Sequence, residues 1–384
     1  MKDKPGRQMT VLRALQFSTY ATVVMIATYF PLYFYSLGFS KLQIGAIYSV
    51  GPVLSIVSNL LVGIVSDKTK SLRRMISLLY LGQILALALL LPVREFGIMS
   101  LVMAFFYLFQ TPVTSMLDSL TLLAAEQMKR SFPSIRMFGS LGYAVCAVVF
   151  GYALKLWGSG LTIYLALGAV AVALVISLWV ADFQATVRKF EFRGLWNVLR
   201  RRETVAFFVI VGVISVAHRI NEGFLSVAMR DHGASDSVVG AASLASSVSE
   251  IPVFFLLARF GHRVKEFPLL ALAGFMYVVR MSLLSVAVHP WSFVAIQTMH
   301  SVTFGIFYIT ALRCLQSMIP EEYRSSGQAA FAIVWTGIAG LIAGTLGGWL
   351  YDAFGLAWLF RAGAAFALVG CAGFLYFHFR RPAV

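Results

Sequence analysis

The chain has 384 residues, of which 59% are hydrophobic and only 12% charged, with a formal net charge of +15. Soluble globular proteins carry about 25% charged residues, so this composition excludes an ordinary soluble protein and indicates an all-α membrane protein. The Lys and Arg excess gives no nucleic-acid-binding stripe, because it comes in short clusters that alternate with apolar runs. Cys146, Cys314 and Cys371 lie in apolar runs with neither a CxxC nor a metal-ligand spacing. They read as packing residues, and no metal or cofactor is expected.

A spanning helix needs roughly 20 largely apolar residues. The basic start of the chain leads into a run near 11–37, too long for a secretory signal core and without a small-x-small cleavage site, so an uncleaved first helix is expected. Eleven more candidates follow near 42–66, 74–93, 97–125, 134–155, 161–181, 204–229, 236–258, 267–288, 291–318, 326–351 and 356–378.

Cytoplasmic loops carry the Lys and Arg excess, and the loops sort cleanly on that rule. One set holds Arg7, Lys68 to Arg74, Lys129, Arg130, Arg188 to Arg202, Arg259 to Lys265, Arg324 and Arg380; the other holds Lys41, Arg94, Lys155 and Arg230. Both termini are therefore expected in the cytoplasm of a plasma or inner membrane protein, which requires an even number of spans. The connection 182–202 interleaves basic residues with Phe and Trp and reads as an amphipathic linker on anionic headgroups. It separates an expected bundle at 1–181 from another at 203–384. Gly38-x-Ser40-x4-Gly45 after the first span and Gly233-x-Ser235-x4-Gly240 after the seventh recur at corresponding places. Two six-helix bundles related as parallel repeats suit the major-facilitator fold.

Between the second and third spans stands Gly63-Ile-Val-Ser-Asp67-Lys-Thr-Lys-Ser-Leu-Arg73-Arg74. It resembles the major-facilitator signature, with Lys68 for the usual arginine and the inner glycine missing. The resemblance implies a cytoplasmic gate built on Gly63, Asp67, Arg73 and Arg74; an ordinary positive-inside loop is the alternative.

Asp118 lies in the fourth span and Arg136 starts the fifth, across a basic turn. An ionisable residue within a span costs several kcal/mol unless it is paired or faces water, so the pair is either a functional polar site or an interfacial pair that snorkels. Tyr29-Phe-Pro31-Leu-Tyr33, Gly63-x-x-Ser-Asp67 and Arg136-Met-Phe-Gly139-Ser-Leu-Gly142-Tyr143 together resemble the lactose permease-like and phenylpropionate permease-like branch of the superfamily. That resemblance implies that Asp118 and Arg136 hold substrate, with Tyr143 stacking on it. Tyr29, Tyr33, Asn221 and Tyr308 join them as substrate-binding candidates.

In the second half the apolar pattern breaks at His218, Arg219, Glu222, Glu250, Arg280, His300 and Arg313. On a helix Glu222 can reach both His218 and Arg219. Arg280 and His300 keep the separation of the lactose permease coupling pair, but the acid one turn beyond the histidine is Thr303 here. Coupling therefore needs another carboxylate, one whose protonation follows its surroundings. Glu250 and Glu222 are the candidates, with His300 third; a buried salt bridge that only fixes packing is the alternative for each. Gly340, Gly344 and Gly348 form a small-residue stripe that signals close helix packing.

No Gly-x4-Gly-Lys-Ser/Thr loop is present, which argues against ATP hydrolysis in this chain. The leading expectation is a transporter, not an enzyme: a proton-coupled symporter that imports a sugar, aromatic acid or nucleoside by alternating access, acting as a monomer in the bilayer. A proton-driven exporter is the runner-up, disfavoured because the fifth span lacks the Gly-Pro motif of such exporters. A non-transporting sensor comes third, since no loop could house an output domain.

Overall fold

The computed structural model describes residues 5–69, 71–130, 132–181, 183, 201–260, 263–319 and 324–380. Among them, 12 helices are long and apolar enough to cross a membrane. In chain order they are α1 (Gly6–Ser36), α2 (Lys41–Thr69), α3 (Leu72–Leu90), α4 (Phe96–Gln127), α5 (Pro133–Trp157) and α6 (Thr162–Ser177) in the first half. The second half holds α7 (Arg202–Asp231), α8 (Asp236–Phe260), α9 (Glu266–Val286), α10 (Pro290–Met318), α11 (Ala330–Phe354) and α12 (Leu356–Arg380). Most of the expected linker 182–202 lies outside the described residues.

Helix α1 begins before the apolar run that marked it in the sequence. The side chain of Gln8 accepts from the Ala181 amide at 2.8 Å and donates to the Trp179 carbonyl at 3.3 Å. These bonds satisfy backbone groups just beyond α6, so the polar start of α1 is useful there.

The sequence repeat has a structural cause. Gly38 and Gly233 end α1 and α7 at φ 85° and 79°, and Gly158 and Gly355 end α5 and α11 at φ 82° each. Left-handed backbone of this kind suits glycine at the residue after a helix. Ser40 and Gln43 then cap α2 reciprocally, each side chain accepting from the other's amide at 3.2 and 2.9 Å. The turn between α4 and α5 puts Lys129 at φ 52°, a conformation costing a non-glycine residue about 1 kcal/mol.

Two compact units can be distinguished. The first comprises Met1–Phe39, Val53–Arg188 and Ser235–Leu244; the second comprises Ser40–Pro52, Lys189–Ala234 and Ala245–Val384. Each therefore takes the first stretch of one helix, α8 or α2, from the other half of the sequence. Within the first unit, a Cβ on Gly151 would stand 2.6 Å from the Asp236 carbonyl oxygen. Within the second, the stripe on α11 does the same work: a Cβ would stand 2.6 Å from Pro52 at Gly340 and 2.8 Å from the Lys41 carbonyl at Gly348. Gly344 faces Gly45 and Ser49. Such backbone approaches are what small residues make possible between helices in lipid.

Among the described residues three helices carry a widened π turn, at Met25–Tyr29 in α1, Ser301–Gly305 in α10 and Ile333–Ile338 in α11. Nothing in the apolar periodicity announced them. Turns of this kind occur frequently at functional sites, and two of the three adjoin the charged residues of the second unit.

Candidate functional site

The first unit brings Asp118 and Arg136 together. Arg136 Nε lies 3.1 Å from Asp118 Oδ1, with the two side chains 27% and 40% exposed. The guanidinium also lies 4.3 Å over the Tyr20 ring, and its Nη2 donates to the Tyr20 hydroxyl. Gly139, one turn beyond Arg136, leaves room for this, since a Cβ there would stand 2.8 Å from both Nη1 and Tyr20 Cδ2. Gln16, one turn before Tyr20 on α1, donates to Asp118 Oδ1 at 3.4 Å and to Thr121 Oγ1 at 2.9 Å.

This arrangement changes what the arginine can offer. With Nε on Asp118 and Nη2 on Tyr20, Nη1 is the corner of the fork that these two partners leave unengaged. Tyr143 stands two turns further along α5 with its hydroxyl 3.4 Å from Thr28 Oγ1, which is itself 3.1 Å from Ser243 Oγ.

Tyr29 is fully buried, with its hydroxyl donating to the Ala147 carbonyl beside Gly151 and Gly240. Tyr33 is 4% exposed, and its hydroxyl accepts from Arg94 at 3.3 Å. In both, the hydroxyl is engaged within the protein. At the gate motif, positions 63 and 67 are helical, but their side chains are outside those described. Arg73 and Arg74 open α3, where Ser71 caps the helix by accepting from the Arg74 amide at 3.3 Å.

The second unit holds a larger cluster. Glu222 bonds both neighbours on α7, His218 Nε2 at 3.4 Å and Arg219 Nη1 at 2.6 Å, as their helical spacing requires. Arg219 also donates through Nε to the Trp335 carbonyl at 3.2 Å and through Nη2 to Thr336 at 3.1 Å. The acceptor carbonyl sits in the π turn of α11, where the widened ladder opens the backbone to side-chain donors.

Across from this pair, Glu250 Oε1 lies 3.1 Å from His300 Nε2, and Arg280 Nη1 lies 3.1 Å from His300 Nδ1. Because a guanidinium only donates, Nδ1 must accept and the ring proton must sit on Nε2, facing Glu250. The same Nη1 donates to Thr303 at 2.9 Å. Thr303 thus stands where an acid was missing, and Glu250 reaches the histidine from α8 instead. Arg280 is fully buried, with Gln297 accepting from Nη2. Gln297 in turn donates to Asn221 at 3.3 Å.

Rings wall the cluster. His218 stacks against Phe304 at 5.0 Å and against Trp335 at 4.9 Å, two rings that themselves lie 6.0 Å apart, and Phe304 stacks on His300 at 5.0 Å and on Tyr308 at 5.3 Å. Arg313 pairs apart from this group, with Glu266 at 3.0 Å. Sequence reasoning missed Gln16, Tyr20, Gln297 and Tyr277, whose hydroxyl lies 3.1 Å from His218 Nδ1. The first two did leave a signal, a polar pair four residues apart inside an apolar span.

Twelve apolar helices in two repeated halves, with charges paired inside them, define a membrane transport protein of the major-facilitator fold. The family whose sequence model is described as the MFS_1 like family matches residues 9–362, and the chain belongs to it: it is a transporter and not an enzyme. Its relatives include the uncharacterized transporter YwbF of Bacillus subtilis, 22% identical over 86% of this chain and 83% of that one. The probable 3-phenylpropionic acid transporter of Escherichia coli is 24% identical over 91% and 93%. The crystal structure of the nucleoside transporter NupG superposes with a TM-score of 0.86 at 16% identity, covering 98% of this chain and 100% of that one. At that identity the likeness speaks for the fold.

If Arg136 contacts the ligand, Arg136→Lys should weaken binding by about tenfold or more, since an ammonium cannot serve Asp118, Tyr20 and a ligand together. The melting temperature should stay near wild type. A merely structural pair gives the reverse: Lys is tolerated, and Asp118→Ala costs about 1–2 kcal/mol of stability because a half-exposed arginine loses its partner. Thermal unfolding and isothermal binding of both variants separate the two.

Proposed function

We propose that this protein is a proton-coupled importer of a small organic solute, working by alternating access in the cell membrane with both termini cytoplasmic. The observation that carries the reading is the chain from Glu250 through His300 to Arg280. A carboxylate one hydrogen bond from an imidazole, whose far nitrogen is held by a permanent cation, has a proton affinity that follows the distance to that cation. A shift of α8, α9 or α10 against the others would change that distance. Glu250 is thus the proton carrier, with His300 and Arg280 setting its environment, and Glu222 is held by Arg219 and His218.

Substrate recognition falls to Asp118, Arg136 and Tyr143 in the first unit and to Asn221 and Tyr308 in the second. Gly63, Asp67, Arg73 and Arg74 are assigned to a cytoplasmic gate. Relatives named as a maltose permease, a 3-phenylpropionic acid transporter and a nucleoside permease supply the probes: maltose, 3-phenylpropionate and uridine in a thermal-shift screen. Import is supported by α5, which has glycines at its α1 contact but no proline after its first position.

The orientation is checked by single cysteines at Ser40 and Asn197. The three native thiols are buried, so impermeant reagents should label the new ones from opposite faces; labelling from the same face contradicts the topology. The coupling is checked in proteoliposomes with the solute that the screen identifies. Glu250→Gln should lose uphill accumulation and keep exchange, because a neutral side chain cannot alternate between protonation states. Uphill accumulation by the variant would move the proton site elsewhere.

A further inference from the structure

The amide of Gln297 is placed between Asn221, a buried substrate-binding candidate, and the proposed proton carrier. We infer that Gln297 is a positioning residue that makes the hold of Glu250 on its proton depend on what Asn221 is bonded to. The inference rests on the reading that Glu250 carries the proton and Asn221 meets the ligand.

Gln297 is 1% exposed on α10, one turn before His300. Its Oε1 accepts from Arg280 Nη2 and from Ser246 Oγ, the latter at 3.1 Å, which uses both lone pairs. Its Nε2 donates to Asn221 Oδ1 at 3.3 Å. Asn221 on α7 is thereby joined through Gln297 to Arg280 on α9, through Arg280 to His300, and through His300 to Glu250 on α8.

The cation in this chain has no carboxylate against it. Arg280 is held by His300, Thr303 and Gln297, all neutral, and its Nε is buried with no acceptor among the described residues. Its position is therefore set by three acceptors. Thr303 is tied to its own helix through the Met299 carbonyl at 2.8 Å. His300 leads to Glu250. Gln297 alone of the three leads, among the described residues, to a candidate ligand contact. A hydrogen bond to a charged group contributes about 1.5–3 kcal/mol, so turning the Gln297 amide toward or away from Arg280 is enough to reposition a buried guanidinium.

The other charges near Glu250 do not take over this task. Arg219 and Glu222 on α7 satisfy each other at 2.6 Å. His218 engages Glu222 and, at 3.1 Å, the Tyr277 hydroxyl from α9, with its ring 5.8 Å from that of His300. From α11 the cluster receives Trp335 and Thr336, which carry no charge.

The test needs no substrate. Infrared pH titration of the purified protein in lipid follows the carboxyl band, and the component lost in Glu250→Gln belongs to Glu250. Asn221→Ala should move the midpoint of that component by about half a pH unit or more in the otherwise native protein. In Gln297→Glu, which still accepts from Arg280 but cannot donate to Asn221 as a carboxylate, Asn221→Ala should leave the midpoint in place. Gln297→Met, similar in length and uncharged, is a second background with the same expected outcome. Equal shifts in native and substituted backgrounds, or no shift in the native one, overturn the inference while Glu250 keeps its role. Absence of any titrating component that depends on Glu250 removes the proposed proton carrier, and the inference with it.

Discussion

Charge held inside apolar helices must find its counter-charge or its hydrogen bonds within the protein, because lipid offers neither. Among the groupings that meet that requirement are three: Asp118 with Arg136, Glu222 with Arg219 and His218, and Glu250 with Arg280 through His300. They differ in how tightly they are closed. The first is partly open at the arginine's Nη1 edge, the second is closed by direct contact, and the third separates acid from cation by an imidazole. That separation leaves the third group free to change state, since neither charge is locked onto the other.

The backbone around these groups is arranged to bring them together. Glycines at 139 and 142 let α5 approach α1 closely enough for Arg136 to lie on Tyr20. The π turn in α11 turns a main-chain carbonyl into an acceptor for Arg219, and the one in α10 begins directly after His300. Phe304 and Trp335 pack against the His218 ring, whose two nitrogens meet Tyr277 and Glu222. Close packing, widened turns and stacked rings together fix where each charge sits to within a hydrogen bond.

Much of this was legible in the residues. Hydropathy marked every span, because it follows directly from the bilayer as solvent. The acids and arginines were legible for the same reason: each stands out against an apolar run. The rest was not, and the causes are physical. A π turn shifts a helix face by a fraction of a residue, which the 3.6-residue period does not reveal. That the Tyr29 and Tyr33 hydroxyls bond the Ala147 carbonyl and Arg94 is likewise visible only in the fold. Gln297 is neutral, so nothing in the sequence marks it as a link between Asn221 and Arg280. The acid absent at Thr303 was noticed, but only the fold shows that Glu250 reaches His300 from another helix.

The central claim is that solute entry carries a proton held by Glu250. It is tested most directly by loading proteoliposomes with a pH-sensitive dye and imposing an inward gradient of the solute that stabilises the protein among maltose, 3-phenylpropionate and uridine. The account predicts that the lumen acidifies as the solute enters through the native protein, and that it does not in Glu250→Gln. Solute entry through the native protein without acidification would contradict it.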